Sequence, residues 1–263
     1  MPGGEGVLRV ALGEYDIGWH DPATSLDRAD SLVGRAKEEG ADLVVLPEMC
    51  TTGFTMDSAA QCETLDGRSV RRLEEIAVRH GVHLLAGVAT REAQGGEGGQ
   101  EGYFNSALLI DPDGTIVAHY RKQKLFVYAR EQQHYTAGEA PVVVEVKGVR
   151  IAPFICFDLR YPELFRAVAP EVDAMLLLAN WPAARRAHWD VLVRARAIEN
   201  QCYFVAVNRT GEGGGIEYDG GSAAYDPWGE RVGAGGDVVA IDGGRVGEVR
   251  KKYPFVEDRR ATV

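Results

Sequence analysis

Residues 149–163 read VRIAPFICFDLRYPE, an apolar run that leads directly into Cys156 and continues with Asp158, Arg160 and Pro162. Six of the seven residues before the cysteine are apolar or proline, as is typical of a strand buried on both faces, and the polar residues after it can open a helix. Such a turn places a thiol at the carboxyl end of a strand, where clefts form in α/β folds. The alternative is a structural cysteine, because an isolated free cysteine usually packs as a small hydrophobic side chain.

The composition describes an acidic chain and narrows the classes of partner. The 263 residues carry a formal net charge of -10, which disfavours nucleic acids and anionic membranes. The amino terminus lacks the basic and apolar regions of a secretory signal, and no run of about 18 uncharged apolar residues occurs, so we expect a cytoplasmic protein. Four cysteines without a CxxC pair predict reduced thiols and neither a disulfide scaffold nor a zinc site.

Strand and helix patterns alternate along the chain and predict an α/β protein. Because no long linker or internal repeat divides it, we predict one domain over residues 1–263, with Gly-rich loops at 95–102 and 211–221. Besides the strand that leads to Cys156, the predicted strands are 8–12, 42–46, 82–89, 104–110, 115–121, 141–146, 173–178 and 203–208. The predicted helices are 22–40, 69–80, one from about 162, and 185–200. The last thirty residues are weakly patterned and are expected to form a tail that packs on a neighbour.

Two further charged residues follow predicted strands. Glu48 comes directly after LVVLP, and we expect it to leave its sheet at the same edge as Cys156, where it could act as a general base. Lys122 follows a hairpin strand in YRKQKLF, where its ammonium could hold an oxyanion or a carboxylate. The structural alternatives are a solvated loop glutamate and an exposed edge lysine. Each residue alone is therefore a weak signal.

Four stretches, taken together and in this order, resemble the nitrilase superfamily of carbon-nitrogen hydrolases. They are LPEMCTTGF (46–54), YRKQKLF (120–126), ICFDLRYPE (155–163) and ANWPAARRAHWDVLVRARAIENQ (179–201). The resemblance implies that Glu48 is the general base, that Lys122 stabilises the tetrahedral intermediate, and that Cys156 is the nucleophile. It implies no cofactor.

Two assignments within this resemblance have competitors. Family members often carry a second glutamate after the lysine segment, which here is Glu131, with Glu139 as the lower-ranked alternative. Lys124 stands where many relatives have histidine, and it would share a strand face with Lys122. We assign Lys122 because it precedes the x-x-Leu-Phe pattern.

The resemblance also implies an α/β fold of a particular kind, a four-layer αββα sandwich with two mixed sheets. Relatives commonly dimerise through helices that correspond here to residues 162–169 and 185–200, so we expect a homodimer. Arg160 is then either a substrate ligand or part of a helix or interface ion pair.

Several residues are candidates for substrate binding. The backbone N–H of Phe157 is a predicted oxyanion donor, and Trp181 a predicted wall of the acyl pocket, with an ordinary core tryptophan as the alternative. Tyr128 could add a hydroxyl, and Arg160 and Arg185 could hold a substrate carboxylate.

The stretch at 179–201 most resembles the omega-amidases, which hydrolyse the side-chain amide of 2-oxo acids. The resemblance implies a small-molecule amide substrate such as 2-oxoglutaramate or 2-oxosuccinamate. Two alternatives stay open. A nitrilase or N-carbamoyl hydrolase would use the same residues, and a non-catalytic binding scaffold would keep only the fold.

Overall fold

A computed structural model describes residues 6–93 and 101–258, in which strands and helices alternate as predicted. The strands are β1 (Val7–Leu12), β2 (Leu43–Val45), β3 (His83–Ala93), β4 (Glu101–Ile110), β5 (Ile116–Arg121), β6 (Val144–Val146), β7 (Val149–Ile155), β8 (Ala174–Leu178), β9 (Tyr203–Val207), β10 (Thr210–Gly213), β11 (Ile216–Asp219), β12 (Ala223–Tyr225), β13 (Arg231–Ala234) and β14 (Val238–Asp242). The helices are α1 (Pro22–Glu38), α2 (Ser58–Gln61), α3 (Arg68–His80), α4 (Pro162–Val168), α5 (Arg186–Asn200), α6 (Gly243–Lys252) and α7 (Phe255–Asp258).

Twelve of these fourteen strands form two mixed sheets of six strands each, and β10 and β11 pair separately as a two-stranded sheet. The first has the order β14-β1-β2-β3-β4-β5, and the second has the order β13-β12-β9-β8-β7-β6. In each sheet three central strands are parallel, β1 with β2 and β3 in the first and β7 with β8 and β9 in the second. The outer strands pair antiparallel. Parallel strands bring their carboxyl ends to one edge, where polar residues can meet.

The burial pattern of the strands explains why the sheets stack between helices. In β2, Leu43 and Val45 join the core that contains the second sheet, whereas Val44 lies in the core under α1 and α3. On the other side, α4 and α5 bury Phe165 and Trp189 against the second sheet. The result is the four-layer αββα sandwich, which confirms the predicted fold class. The expectation that residues 1–263 form one domain stays a prediction.

The start of α1 and the end of α3 lie where local sequence signals predicted them, whereas α1 ends at Glu38, two residues before the predicted end at Gly40. Asp21 caps α1, because its carboxylate accepts the N–H of Thr24 at 3.1 Å and Pro22 follows as the first helical residue. Gly81 ends α3 with a φ of 59°, a left-handed conformation that favours glycine. Over residues 6–93 and 101–258, no helix has the length and apolar character needed to cross a membrane.

Two segments correct the sequence predictions. The Gly-rich tract at 211–221 is not a plain loop, because it contains most of the β10–β11 hairpin, with Gly214 and Gly215 at positive φ in the turn. The weakly patterned carboxyl-terminal segment is not a tail on a neighbour within the described residues, since β14 pairs with β1 of its own chain and Val246 of α6 is buried. The other predicted loop lies largely outside the described residues, with its last two positions in β4.

Candidate active site

Three chain segments bring the predicted chemical residues to one edge of the sandwich. Glu48 follows β2, Lys122 directly follows β5, and Cys156 directly follows β7. Glu131 reaches the same place from a short 3₁₀ turn in the loop after Lys122. The structure therefore gathers the four predicted catalytic residues.

Glu48, Lys122 and Glu131 form a buried charge cluster. Lys122 Nζ donates to Glu48 Oε1 at 2.9 Å and to Glu131 Oε2 at 3.0 Å, and all three side chains are 0% exposed. Charges in a dry interior are tolerated only when they are paired and hydrogen-bonded. Burial alone lowers the pKa of Lys122, but the carboxylates of Glu131 and Glu48 outweigh it and raise that pKa, so the ammonium stays charged.

Two asparagines hold the carboxylates in place. Asn105 Nδ2 donates to Glu48 Oε1 at 2.7 Å and to Glu131 Oε1 at 3.0 Å. The backbone N–H of Asn180 donates to Glu48 Oε2 at 2.9 Å, and its side chain donates to the carbonyl of Glu48. Both oxygens of Glu48 are thereby fixed. The sequence analysis missed both asparagines, although a polar residue inside the apolar strand β4 was a signal for Asn105.

The cysteine turn, Cys156–Arg160, is a 3₁₀ turn that starts at the thiol residue. Cys156 has a φ of 43°, a conformation that costs a non-glycine residue about 1–3 kcal/mol and that occurs often at functional sites. Cys156 is partly exposed, whereas the other three cysteines are buried. Burial and the Glu48 carboxylate raise the pKa of the Cys156 thiol, with Lys122 opposing them. The resting thiol is protonated, and an attack by sulfur needs a base to remove that proton.

Asp158 anchors the cysteine turn to the lysine segment. Its Oδ2 accepts the N–H of Ile155 at 2.9 Å and the hydroxyl of Tyr120 at 2.7 Å, and its Oδ1 accepts the N–H of Lys124 at 2.8 Å. The ammonium of Lys124 lies 4.9 Å from the ring centroid of Tyr161. The structure therefore places Lys122, and not Lys124, in the charge cluster.

A cavity of about 270 Å³ opens onto Cys156. Trp181 is buried in its wall, with Nε1 donating to the carbonyl of Arg185 at 2.9 Å, and Phe157 lines it beside Phe126. Tyr128 stands at the rim, 88% exposed. The full lining is Phe54, Lys122, Phe126, Tyr128, Ala129, Cys156, Phe157, Arg160, Asn180, Trp181, Pro182, Ala184, Arg185, Ile216 and Tyr218.

The structure decides between the two candidate glutamates and adds a tyrosine that the sequence analysis did not identify. Glu139 lines a different surface cavity, together with Glu92 and His119, so Glu131 is the glutamate at the site. Tyr218 is buried in the wall on β11, with the guanidinium of Arg209 4.6 Å from its ring, and the sequence analysis missed it because its segment looked like a loop. No group of His, Cys, Asp or Glu within the described ranges is arranged to hold a metal ion.

Comparison with known proteins places this arrangement in context. Residues 9–249 match the family described as Carbon-nitrogen hydrolase. The chain is 34% identical over 255 residues to the 2-oxoglutaramate amidase of Bacillus subtilis, covering 94% of this chain and 95% of that protein. It is 36% identical over 265 residues to the omega-amidase YafV of Escherichia coli K12, covering 98% of this chain and 97% of that protein.

Solved structures agree with the sequence relatives. A CN-hydrolase superfamily protein from Xanthomonas campestris, with an arsenic adduct in its active site, has a TM-score of 0.87 and 35% identity, covering 96% of this chain and 97% of that one. A mutant of the Nesterenkonia AN1 amidase from the nitrilase superfamily has a TM-score of 0.81 and 28% identity, covering 99% of this chain and 96% of that one.

Proposed function

The chain belongs to the carbon-nitrogen hydrolase family, and on that premise we propose that it hydrolyses the side-chain amide of short 2-oxo acids such as 2-oxoglutaramate and 2-oxosuccinamate. The products are the dicarboxylate and ammonia. The names of the Bacillus subtilis and Escherichia coli relatives support this substrate class. The observation that carries the proposal is the buried charge cluster beside the partly exposed Cys156.

Acylation follows from the proposed roles of these residues. Glu48 takes the thiol proton, and the thiolate of Cys156 attacks the amide carbon to give a tetrahedral intermediate. Lys122 and the backbone N–H of Phe157 stabilise the oxyanion. Collapse breaks the carbon–nitrogen bond, and protonated Glu48 returns its proton to the leaving nitrogen, which departs as ammonia. A thioester on Cys156 remains.

Deacylation uses the same base. Glu48, ionised again, removes a proton from water, and the resulting hydroxide attacks the thioester carbon. Collapse of the second tetrahedral intermediate releases the carboxylic acid, and the proton on Glu48 returns to the sulfur. Glu131 supports both halves of the cycle, because Lys122 keeps one carboxylate partner at 3.0 Å while Glu48 is protonated and neutral.

The assembly and location are part of the same proposal. We propose a homodimer through the faces of α4 and α5, because Val191 and Ile198 on α5 are 68% and 49% exposed and lie two turns apart on one face. Sedimentation of the wild type and of Val191→Asp tests this, and a monomeric wild type contradicts it. We propose a cytoplasmic location, since the free cysteines suit a reducing compartment.

Ammonia release from a panel of substrates tests the function. The panel contains 2-oxoglutaramate, 2-oxosuccinamate, an aliphatic nitrile and an N-carbamoyl amino acid, with Cys156→Ala as the blank. We expect kcat/KM for the 2-oxo acid amides to exceed that for the other two classes by at least about 10²-fold. A nitrile or a carbamoyl compound as the best substrate would replace the omega-amidase proposal by the corresponding alternative.

A further inference from the structure

Two of the three cationic residues in the wall of the cavity have no carboxylate partner among the described residues. The charged residues that line it are Lys122, Arg160 and Arg185, and all of them are cationic. Lys122 is paired with two glutamates, whereas neither arginine forms an ion pair within residues 6–93 and 101–258. In a chain of net charge -10, two cations without a carboxylate in one cavity are unexpected unless the cavity receives an anion.

Arg186, next to Arg185 in the chain, differs from it in having carboxylate partners. Arg186, the residue after Arg185, lies outside the cavity lining and forms ion pairs with Asp190 at 2.9 Å and with Asp219 at 3.2 Å. The fold therefore supplies carboxylates to the neighbouring guanidinium and none to the one in the cavity. A general acidity of the surface does not explain this difference.

Aromatic rings hold both guanidinium groups. Arg160 lies 4.9 Å from the ring centroid of Trp181 and hydrogen-bonds His188 Nδ1 at 3.1 Å, and Arg185 lies 5.2 Å from the ring centroid of Phe126. A cation over a ring face is positioned without being neutralised, and a guanidinium has further N–H donors in its plane that match a carboxylate.

Repulsion between the two arginines points to the same ligand class. Both are half-buried, and burial together with the charge of Arg185 lowers the pKa of Arg160. Two like charges held together in a partly dry wall are unfavourable, and an anion between them removes that cost.

We propose that Arg160 and Arg185 together form a carboxylate subsite at the cavity mouth, which selects amides whose free carboxylate lies at the other end of a short chain from the reacting amide. The inference rests on the proposed function for the reaction at Cys156. The charge cluster is fully buried, whereas the two arginines are half-buried. The amide therefore enters first and the carboxylate stays near the solvent.

The subsite has a consequence for the α-carbon of the substrate. A 2-oxo group or an unsubstituted carbon beside the carboxylate brings no charge to the mouth. An α-ammonium, as in glutamine, would lie against Arg160 and Arg185 and be repelled. The pocket thus distinguishes a 2-oxo acid amide from the amino acid amide of the same length.

Matched substrates and variants test the subsite. The substrates are 2-oxoglutaramate, glutaramate, glutamine and the neutral pentanamide, and the variants are Arg160→Met, Arg185→Met, their double variant and the two Arg→Lys changes. We expect the ratio of kcat/KM for 2-oxoglutaramate over pentanamide to fall on the order of 10²-fold in each Met variant, mainly through KM, because a charge-assisted carboxylate contact is lost. The Lys variants should retain part of the ratio, since lysine keeps the charge without the fork. Arg186→Met is the matched control and should leave the ratio within about threefold.

A second readout does not depend on turnover. Glutarate should slow the alkylation of Cys156 by iodoacetamide in the wild type and lose that protection in the double variant. An unchanged ratio in the Met variants, or equal losses on pentanamide and on the acid amides, overturns the inference and gives the arginines a structural role. A wild type that prefers glutaramate to 2-oxoglutaramate, with a ratio that still depends on the arginines, rejects the 2-oxo acid proposal and keeps the subsite. Absence of glutarate protection in the wild type rejects the subsite whatever the substrate.

Discussion

The cation at the inner end of the cavity is paired with carboxylates, whereas the cations at its mouth have no such partner among the described residues. At the inner end, Lys122 is enclosed by two glutamates at 2.9 and 3.0 Å, and every member of the cluster is inaccessible to solvent. At the mouth, Arg160 and Arg185 are half-buried, and among the described residues no carboxylate pairs with either. The groups that we propose for the chemical step are therefore held in place before a substrate binds, as in preorganised sites that gain rate in this way. Groups at the mouth are left for a ligand to complete.

This difference has an energetic counterpart. Removing one member of a buried, fully paired charge cluster leaves an uncompensated charge and costs about 3–5 kcal/mol of folding free energy. Removing a half-buried arginine without an ion pair costs far less, because little attraction is lost. Changes at the inner end should therefore alter both stability and turnover, whereas changes at the mouth should alter substrate selectivity alone.

Cys156→Ala is the change with the largest expected effect, and it is the exception within the inner end. The loss of the nucleophile removes the covalent route, so turnover should fall by at least about 10⁴-fold. Stability should stay close to that of the wild type, because the thiol is neutral at rest and the volume lost is small. Ammonia release and thermal unfolding measure the two quantities.

The matched control is Cys50→Ala, at a cysteine buried away from the cavity lining. It should keep most of the activity. Iodoacetamide labelling with peptide mapping provides the check, since protection by substrate of any cysteine other than Cys156 would move the nucleophile.

Lys122→Met should have the next largest effect, because it removes the cation that pairs with both Glu48 and Glu131. We expect a loss of about 3–5 kcal/mol in the free energy of unfolding and a fall in kcat of about 10²-fold or more. Lys124→Met is the control. The Lys124 ammonium lies over the ring of Tyr161 and forms no ion pair among the described residues, so its loss should cost less than about 1 kcal/mol. Urea unfolding measures the change in stability, and steady-state rates measure the change in kcat. A larger loss in Lys124→Met than in Lys122→Met would show that Lys124, and not Lys122, is the functional lysine.

The sequence was sufficient for the residues that follow apolar strands. Glu48 and Cys156 each come after a short apolar run, so their place at a sheet edge was predictable, and the fold class followed from the resemblance. The choice between Lys122 and Lys124 was less secure, because residues two apart share a strand face. In the structure β5 ends at Arg121, and Lys124 is already in the next turn, held by Asp158.

Contacts between residues far apart in the chain could not be predicted from the sequence. Asn180 meets Glu48 across 132 positions and Asn105 meets it across 57, and no local pattern records either pairing. Tyr218 was hidden for another reason. Its hairpin is rich in glycine, which reads as loop even though positive-φ glycines are what let the strand pair turn. The chemistry was therefore easier to predict than the walls of the pocket.

The last prediction concerns Asp158, which connects the two regions because the cysteine turn begins at Cys156 and ends at Arg160. Burial raises the pKa of Asp158 to about 6, against the hydrogen bonds from Ile155 and Tyr120 that lower it. Its pKa in the folded protein lies above the value of about 4 expected in the unfolded chain, so the folded state binds the proton more tightly. The stability that this group contributes is fully present below pH of about 4 and is lost as the pH rises through about 6.

Asp158→Asn removes this titration and one acceptor oxygen. At pH 4.5 the variant should be less stable than the wild type by about 1–3 kcal/mol, because one N–H or hydroxyl donor loses its partner. The difference should shrink by about 2 kcal/mol towards pH 7.5, since only the wild type has to ionise a buried carboxyl over that range. Urea unfolding of both proteins at four pH values between these limits measures the difference. A gap that widens with pH would mean that the three donors hold Asp158 ionised in the fold, and the cysteine turn would then rest on a buried charge like the inner end and unlike the mouth.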